Sequence, residues 1–212
     1  MQKDLKKVKK ALSFSIVFVL ILWIVKLFET FTQIDLGIYG VYPRDITGLR
    51  GIVFYPFLHA DFTHLISNTA PIFVLSFILF LTYQKIAWRV FLYIYILSGL
   101  GIWIFARPSI HLGASGLIYG LASFVFFSGV FRRDIRSVAL SFLIIFLYGG
   151  MIWGVLPLQQ GVSWEGHLFG ALAGAYCAYY YRDINKPTVP DWMKDKEDDM
   201  NYEPPFWLSN NS

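Results

Sequence analysis

Six long apolar runs divide this chain, and their length restricts its fold more than any other feature. In a bilayer the backbone must satisfy its own polar groups, so about 20 apolar residues in a row cross as a helix. The runs cover residues 11–28, 63–81, 88–106, 115–131, 137–156 and 165–181. They predict an all-α polytopic membrane protein, a six-transmembrane-helix bundle. Charged residues make up only 15% of the 212, against about 25% in soluble domains. Aromatic residues reach 19%, which fits spans with aromatic anchors near the interfaces. The first run follows several lysines yet lacks an A-x-A cleavage site, so it reads as a retained span and not a secretory signal.

Charge distribution orients the spans. Lys3, Lys6, Lys7, Lys9 and Lys10 precede the first run, and Lys85 and Arg89 join the second to the third. Arg132, Arg133 and Arg136 join the fourth to the fifth, while Arg182, Lys186, Lys194 and Lys196 follow the sixth. Lys26, Arg44, Arg50 and Arg107 fall on the other side. The positive-inside rule then puts both termini in the cytosol of a cell-membrane protein. Three regions follow: a basic cytosolic N-terminus at 1–10, a six-span body at 11–182, and an acidic tail at 183–212 whose composition predicts disorder. The connection from Glu29 to Asp61 is far longer than the usual 4–6 residues. Its mixture of aromatic and turn residues predicts a segment lying at the outer membrane interface.

Composition also removes several functional classes. The net charge of +4 is not interleaved with aromatics on a soluble module, so no nucleic-acid partner is expected. Cys177 is the lone cysteine, which excludes an intrachain disulfide and a cysteine-based metal site. H-E-x-x-H is absent, and the aspartates lie outside the spans or, for Asp61, at an outer end. Neither a zinc nor an aspartyl protease is expected, and no metal or other cofactor.

Polar residues inside spans are costly enough to mark function. His59, His64, His111 and His167 all fall on the outer side, with His59 steadying the loop before span two and His111 at the interface. His64 and Asn68 are four apart, on one helix face. Ser115 opens the fourth span, which has only about 16 residues before Arg132, or roughly 24 Å of helix against a ~30 Å hydrocarbon core. The preceding loop must therefore descend into the membrane. Gly116 and Gly120 on span four, and Gly166, Gly170 and Gly174 on span six, repeat at the interval that lets helices approach closely.

Such an approach brings Ser115 and His167 within hydrogen-bonding range, a Ser/His dyad for nucleophilic and general acid–base work. Glu165 points off the other side of its helix, so no carboxylate orients the imidazole and no triad is expected. Asn68, His64 and the Ser115 backbone N–H form the available oxyanion donors. Tyr119, one turn below the serine, is placed to pack on His167, and Gly113 suits a tight backbone around the oxyanion. Each feature alone has a structural explanation; their conjunction at one depth points to chemistry.

With His59-xxxx-His64-xxx-Asn68, Gly113-Ala-Ser115-Gly116 followed by Tyr119, and Gly166-His167-xx-Gly170-xxx-Gly174 in order, residues 11–182 resemble the rhomboid family of intramembrane serine proteases. The resemblance implies Ser115 as nucleophile, His167 as general base and acid, and an oxyanion held by His64, Asn68 and the Ser115 amide. It implies transmembrane proteins as substrates, reached laterally from the lipid bilayer between spans two and five. The first outer loop reads Gly48-Leu49-Arg50-Gly51 where the family often has a Trp-Arg pair, and Gly166 stands where alanine is frequent. A catalytically silent rhomboid-like membrane chaperone or binding protein is the alternative.

Overall fold

A computed structural model describes residues 2–158 and 161–184. Seven α-helices organise them: α1 (Gln2–Thr32), α2 (Gly51–Phe54), α3 (Phe62–Thr82), α4 (Ala87–Phe105), α5 (Ser115–Arg132), α6 (Ile135–Tyr148) and α7 (Trp164–Tyr180). Among the described residues no β-strand occurs, and one isolated antiparallel bridge joins Val41 to His111. Five helices are long and apolar enough to cross a membrane, the fifth running from Ile135 through a 3-10 extension to Val155. α7, at 17 residues, is shorter than these. The predicted acidic tail lies outside the described residues from 185 onward.

Helix ends follow local chemistry. Asp61, Asp134 and Ser163 cap α3, α6 and α7, each side chain accepting from the backbone N–H three residues on. α1 begins well before the predicted residue 11. Neither glycine nor proline interrupts residues 2–32, so the basic N-terminus continues the helix, aided by a Lys7–Asp4 pair at 3.3 Å.

α5 is the centre of the bundle, packing against α3, α4, α6 and α7. Leu117, Leu121, Phe124 and Val125 are buried on it, whereas Phe105, Phe142, Phe146 and Leu172 on other helices point outward as lipid-facing residues would. Without a hydrophobic force between helices in lipid, contact relies on small residues and shared polar groups. A Cβ on Gly170 would overlap the Gly116 carbonyl, and one on Gly174 the Gly120 carbonyl, so α5 and α7 meet backbone to backbone. Ser123 Oγ donates to the Ala171 carbonyl across the same contact at 2.7 Å. Ser15 and Ser76 join α1 to α3 through a 2.7 Å hydroxyl pair, and Ser141 joins α6 to the Phe126 carbonyl of α5 at 2.7 Å.

The long first connection begins only at residue 33 and is folded into α2 and three short 3-10 turns. It docks on the C-terminal half of α4: Trp103 Nε1 donates to the Asp45 carbonyl at 2.8 Å, and Tyr55 O–H to the Tyr95 carbonyl at 3.1 Å. Arg50 lies over the Tyr39 ring. Ile46, Val53 and Ile38 remain exposed.

The glycine contact yields a direct stability test. Gly174→Val should lower stability by about 2 kcal/mol or more, because the added carbons have nowhere to go. Gly150→Ala, where a Cβ meets nothing within 4 Å, should change it by less than about 0.5 kcal/mol. Thermal unfolding in detergent distinguishes the two.

Candidate active site

Three helix beginnings converge on the face carrying the four histidines. α3 presents His64 and Asn68 in its first two turns, α5 starts at Ser115, and α7 presents His167 in its first turn. Ser115, His64, Asn68, Tyr119 and His167 all line one cavity of about 1520 Å³, together with Gly154, Met151 and Trp153 from the 3-10 segment after α6.

His167 is buried and held on two sides. Its Nδ1 lies 2.8 Å from the Gly154 carbonyl. Since a carbonyl only accepts, Nδ1 carries the proton, which leaves Nε2 free as a base in the neutral ring. The Tyr119 ring stacks on the imidazole, centroids 4.1 Å apart and planes 6° from parallel. Tyr119 O–H donates to the Met151 carbonyl at 2.8 Å, so ring and imidazole are both tied to the 149–155 segment.

The donors opposite are equally placed. α5 has no side-chain cap, so the N–H groups of its first turn are available to an outside acceptor, at the positive end of the helix dipole. Asn68 is buried, and its Nδ2 is a buried donor with no hydrogen-bond partner. An unpaired buried donor is expensive unless something visits it. Gly113 has φ +114° and sits against His64, where a Cβ would stand 2.5 Å from Cε1. Both the backbone and the space demand glycine there. The Gly113 N–H donates to the Tyr55 carbonyl at 2.8 Å, which fixes the loop before α5.

His59 lies behind this layer. It is buried, its ring 5.1 Å from that of His64, and its Nε2 accepts from the Ala114 N–H at 3.5 Å. Lys26, buried near the C-terminal end of α1, donates to the His59 and Ala60 carbonyls at 2.9 and 3.0 Å and pairs with Glu29 at 2.7 Å. Gly116, Gly170 and Gly174 stand outside the cavity lining, in the α5–α7 contact.

Ser115 and His167 share the cavity wall, and no hydrogen bond joins Ser115 Oγ to the imidazole. His111 is buried within the protein, its ring bonding Ser163 Oγ at 2.7 Å and the Arg107 carbonyl at 3.1 Å. Glu165 is turned from His167 toward Arg107, 3.5 Å between Oε2 and Nη1. The Gly154 carbonyl, which orients His167 where a carboxylate does not, had no signal in the sequence.

A family model described as a Rhomboid domain matches residues 47–184. The chain belongs to the rhomboid family. An uncharacterized protein of Mycobacterium tuberculosis, Rv1337, is 38% identical over 172 residues, 76% of this chain and 71% of the relative. An uncharacterized Mycobacterium leprae protein, ML1171, is 35% identical over 172 residues, covering 76% of this chain and 68% of its own length. YdcA of Bacillus subtilis, provisionally named a rhomboid protease, is 31% identical over 155 residues, 69% of this chain and 71% of the relative. The all-helical architecture with its apolar helices is that of a rhomboid-like membrane bundle.

Burial sets the acid response of this rhomboid. Burial first, and then the neighbouring His64, push the His59 pKa from 6.5 to about 4. Burial lowers that of His111 as well. Protonation therefore favours the unfolded chain: the stability these rings contribute is complete above pH 6.5 and declines as pH falls from 6.5 toward 4. Thermal midpoints between pH 7.5 and 4.5 should fall less steeply for His59→Gln than for the unmodified protein. Equal slopes would remove His59 from the account.

Proposed function

We propose that this rhomboid is an intramembrane serine endopeptidase that cleaves transmembrane segments of other membrane proteins with a Ser115/His167 dyad. One observation carries the reading: a single cavity collects a serine, an imidazole whose Nδ1 proton is committed to Gly154, and a buried unpaired Asn68 amide. In the reaction Ser115 Oγ attacks the scissile carbonyl carbon while His167 Nε2 takes its proton. The carbonyl oxygen becomes an oxyanion, bonded by Asn68 Nδ2, a His64 N–H and the Ser115 backbone N–H. The C–N bond then breaks, and His167 returns the proton to the leaving amine. Water, deprotonated by the same imidazole, cleaves the acyl-enzyme and restores Ser115. Tyr119 holds the imidazole plane throughout.

In this reading α7 is the sixth crossing. Its 17 residues reach roughly 26 Å, suited to a locally thinned bilayer. Both termini lie in the cytosol of a cell-membrane protein, and the site opens outward. Substrate helices enter from the lipid between α3 and α6, where Pro71 of α3 and Tyr148 of α6 line the cavity beside the segment after α6.

A second reading, a silent chaperone-like binding protein, rests on the missing Ser115–His167 hydrogen bond. Catalytic bonds are often loose before substrate binds, so that observation weighs less than the set of donors.

Cleavage of a reporter with a transmembrane segment by purified protein should disappear in Ser115→Ala and in His167→Ala. A serine-reactive fluorophosphonate should label the unmodified chain and not Ser115→Ala. Asn68→Ala should lower kcat about 10²-fold with little change in KM, as loss of an oxyanion donor does. Full activity in Ser115→Ala would end the assignment.

A further inference from the structure

The cavity contains a second serine–histidine pair, and unlike Ser115 and His167 it is hydrogen-bonded. His111 Nε2 lies 3.1 Å from the Arg107 carbonyl, so Nε2 carries the ring proton and Nδ1 accepts. The Ser163 hydroxyl is the donor to Nδ1, at 2.7 Å. Its oxygen also accepts the Gly166 N–H at 3.3 Å as the N-cap of α7. Both partners are thus fully used in holding structure, with His111 only 1% exposed.

The backbone around the pair is tied in the same sense. His111 and Val41 exchange both backbone hydrogen bonds at 2.9 Å, anchoring the loop to the first outer connection. Arg107 crosses to the start of α7 three times: Nη2 to the Val162 carbonyl at 2.6 Å, its own N–H to Glu165 Oε1 at 3.3 Å, and Nη1 to Glu165 Oε2 at 3.5 Å. Four residues after His111 comes Ser115, and four after Ser163 comes His167. The glycine contact sets how far α7 stands from α5. What sets its register along that contact is the attachment of its first turn.

We propose that His111 is a positioning residue: through Ser163 it fixes the first turn of α7, and with it His167, relative to the loop that delivers Ser115. The proposal rests on the protease reading above. A displacement of about 1 Å between reacting groups lowers turnover on the order of 10²-fold. Removing the pair should therefore act on kcat.

The test uses the full chain in detergent, with His111→Phe, Ser163→Ala, the double variant, His111→Asn and Ser163→Thr. An asparagine oxygen can accept from Ser163 near the place of Nδ1, and threonine keeps the hydroxyl. The two disruptive single variants should each lower kcat, and the fluorophosphonate labelling rate of Ser115, at least about tenfold with KM within about twofold. The double variant should lose no more than the worse single one, since the two residues act as one unit. His111→Asn and Ser163→Thr should recover most of the loss. Where His111→Phe does not fold, Ser163→Ala against Ser163→Thr carries the same comparison. Unchanged kcat, an effect confined to KM, multiplicative losses in the double variant, or no recovery by the conservative variants would each overturn the role. If the unmodified chain neither cleaves nor is labelled at Ser115, the protease reading fails and the positioning role with it. An active chain with indifferent variants removes the positioning role alone.

Discussion

Backbone contact between α5 and α7 is the constraint on which the rest of this molecule depends. Gly116 and Gly120 face Gly170 and Gly174 so closely that no side chain fits between. In lipid, where apolar surface gains nothing by leaving its surroundings, that approach is stabilised by dispersion and by bonds such as Ser123 to the Ala171 carbonyl. It also brings the first turns of the two helices, with Ser115 and His167, to one cavity. α5 is the central element because it serves two purposes. Its body is core, and its start, which no side chain caps, brings Ser115 into the cavity lining.

Around that contact the polar groups form layers. The inner layer consists of His167 on the Gly154 carbonyl, Tyr119 stacked on its ring, and the unpaired Asn68 amide. Behind it, His59 meets Ala114 and is held through its carbonyl by Lys26. To the side, Arg107, His111, Ser163 and Glu165 join the loop before α5 to the beginning of α7. Of the three α-helices that begin at the cavity, α3 and α7 carry a capping side chain and α5 does not. That difference is what an oxyanion site requires.

Much of this was legible in the sequence, because the features involved have short periods or unmistakable polarity. Apolar runs announced the helices, and a glycine every fourth residue announced the α5–α7 contact. A His64–Asn68 spacing of four placed both residues on one face, and both line the cavity. Other features had no such signal. A carbonyl has no residue identity, so the role of Gly154 was invisible. His111 and Ser163 lie 52 residues apart, with nothing local to pair them. α1 ran longer than expected because hydropathy marks where lipid begins, while helix ends depend on breakers that this segment lacks. The run at 165–181 reads as a sixth span by composition, yet α7, at 17 residues, falls short of the five helices long enough to cross a membrane.

The proposed chemistry requires that one cavity present Ser115 as nucleophile, His167 as its base, and Asn68, His64 and the start of α5 as oxyanion donors. The most direct measurement is an experimental structure of the chain after reaction with a fluorophosphonate. Phosphorus should be bonded to Ser115 Oγ, its phosphoryl oxygen within hydrogen-bonding distance of Asn68 Nδ2 and the Ser115 N–H, with His167 Nε2 facing the adduct. Phosphorus on Ser163 or elsewhere, or a phosphoryl oxygen turned away from Asn68, would contradict it.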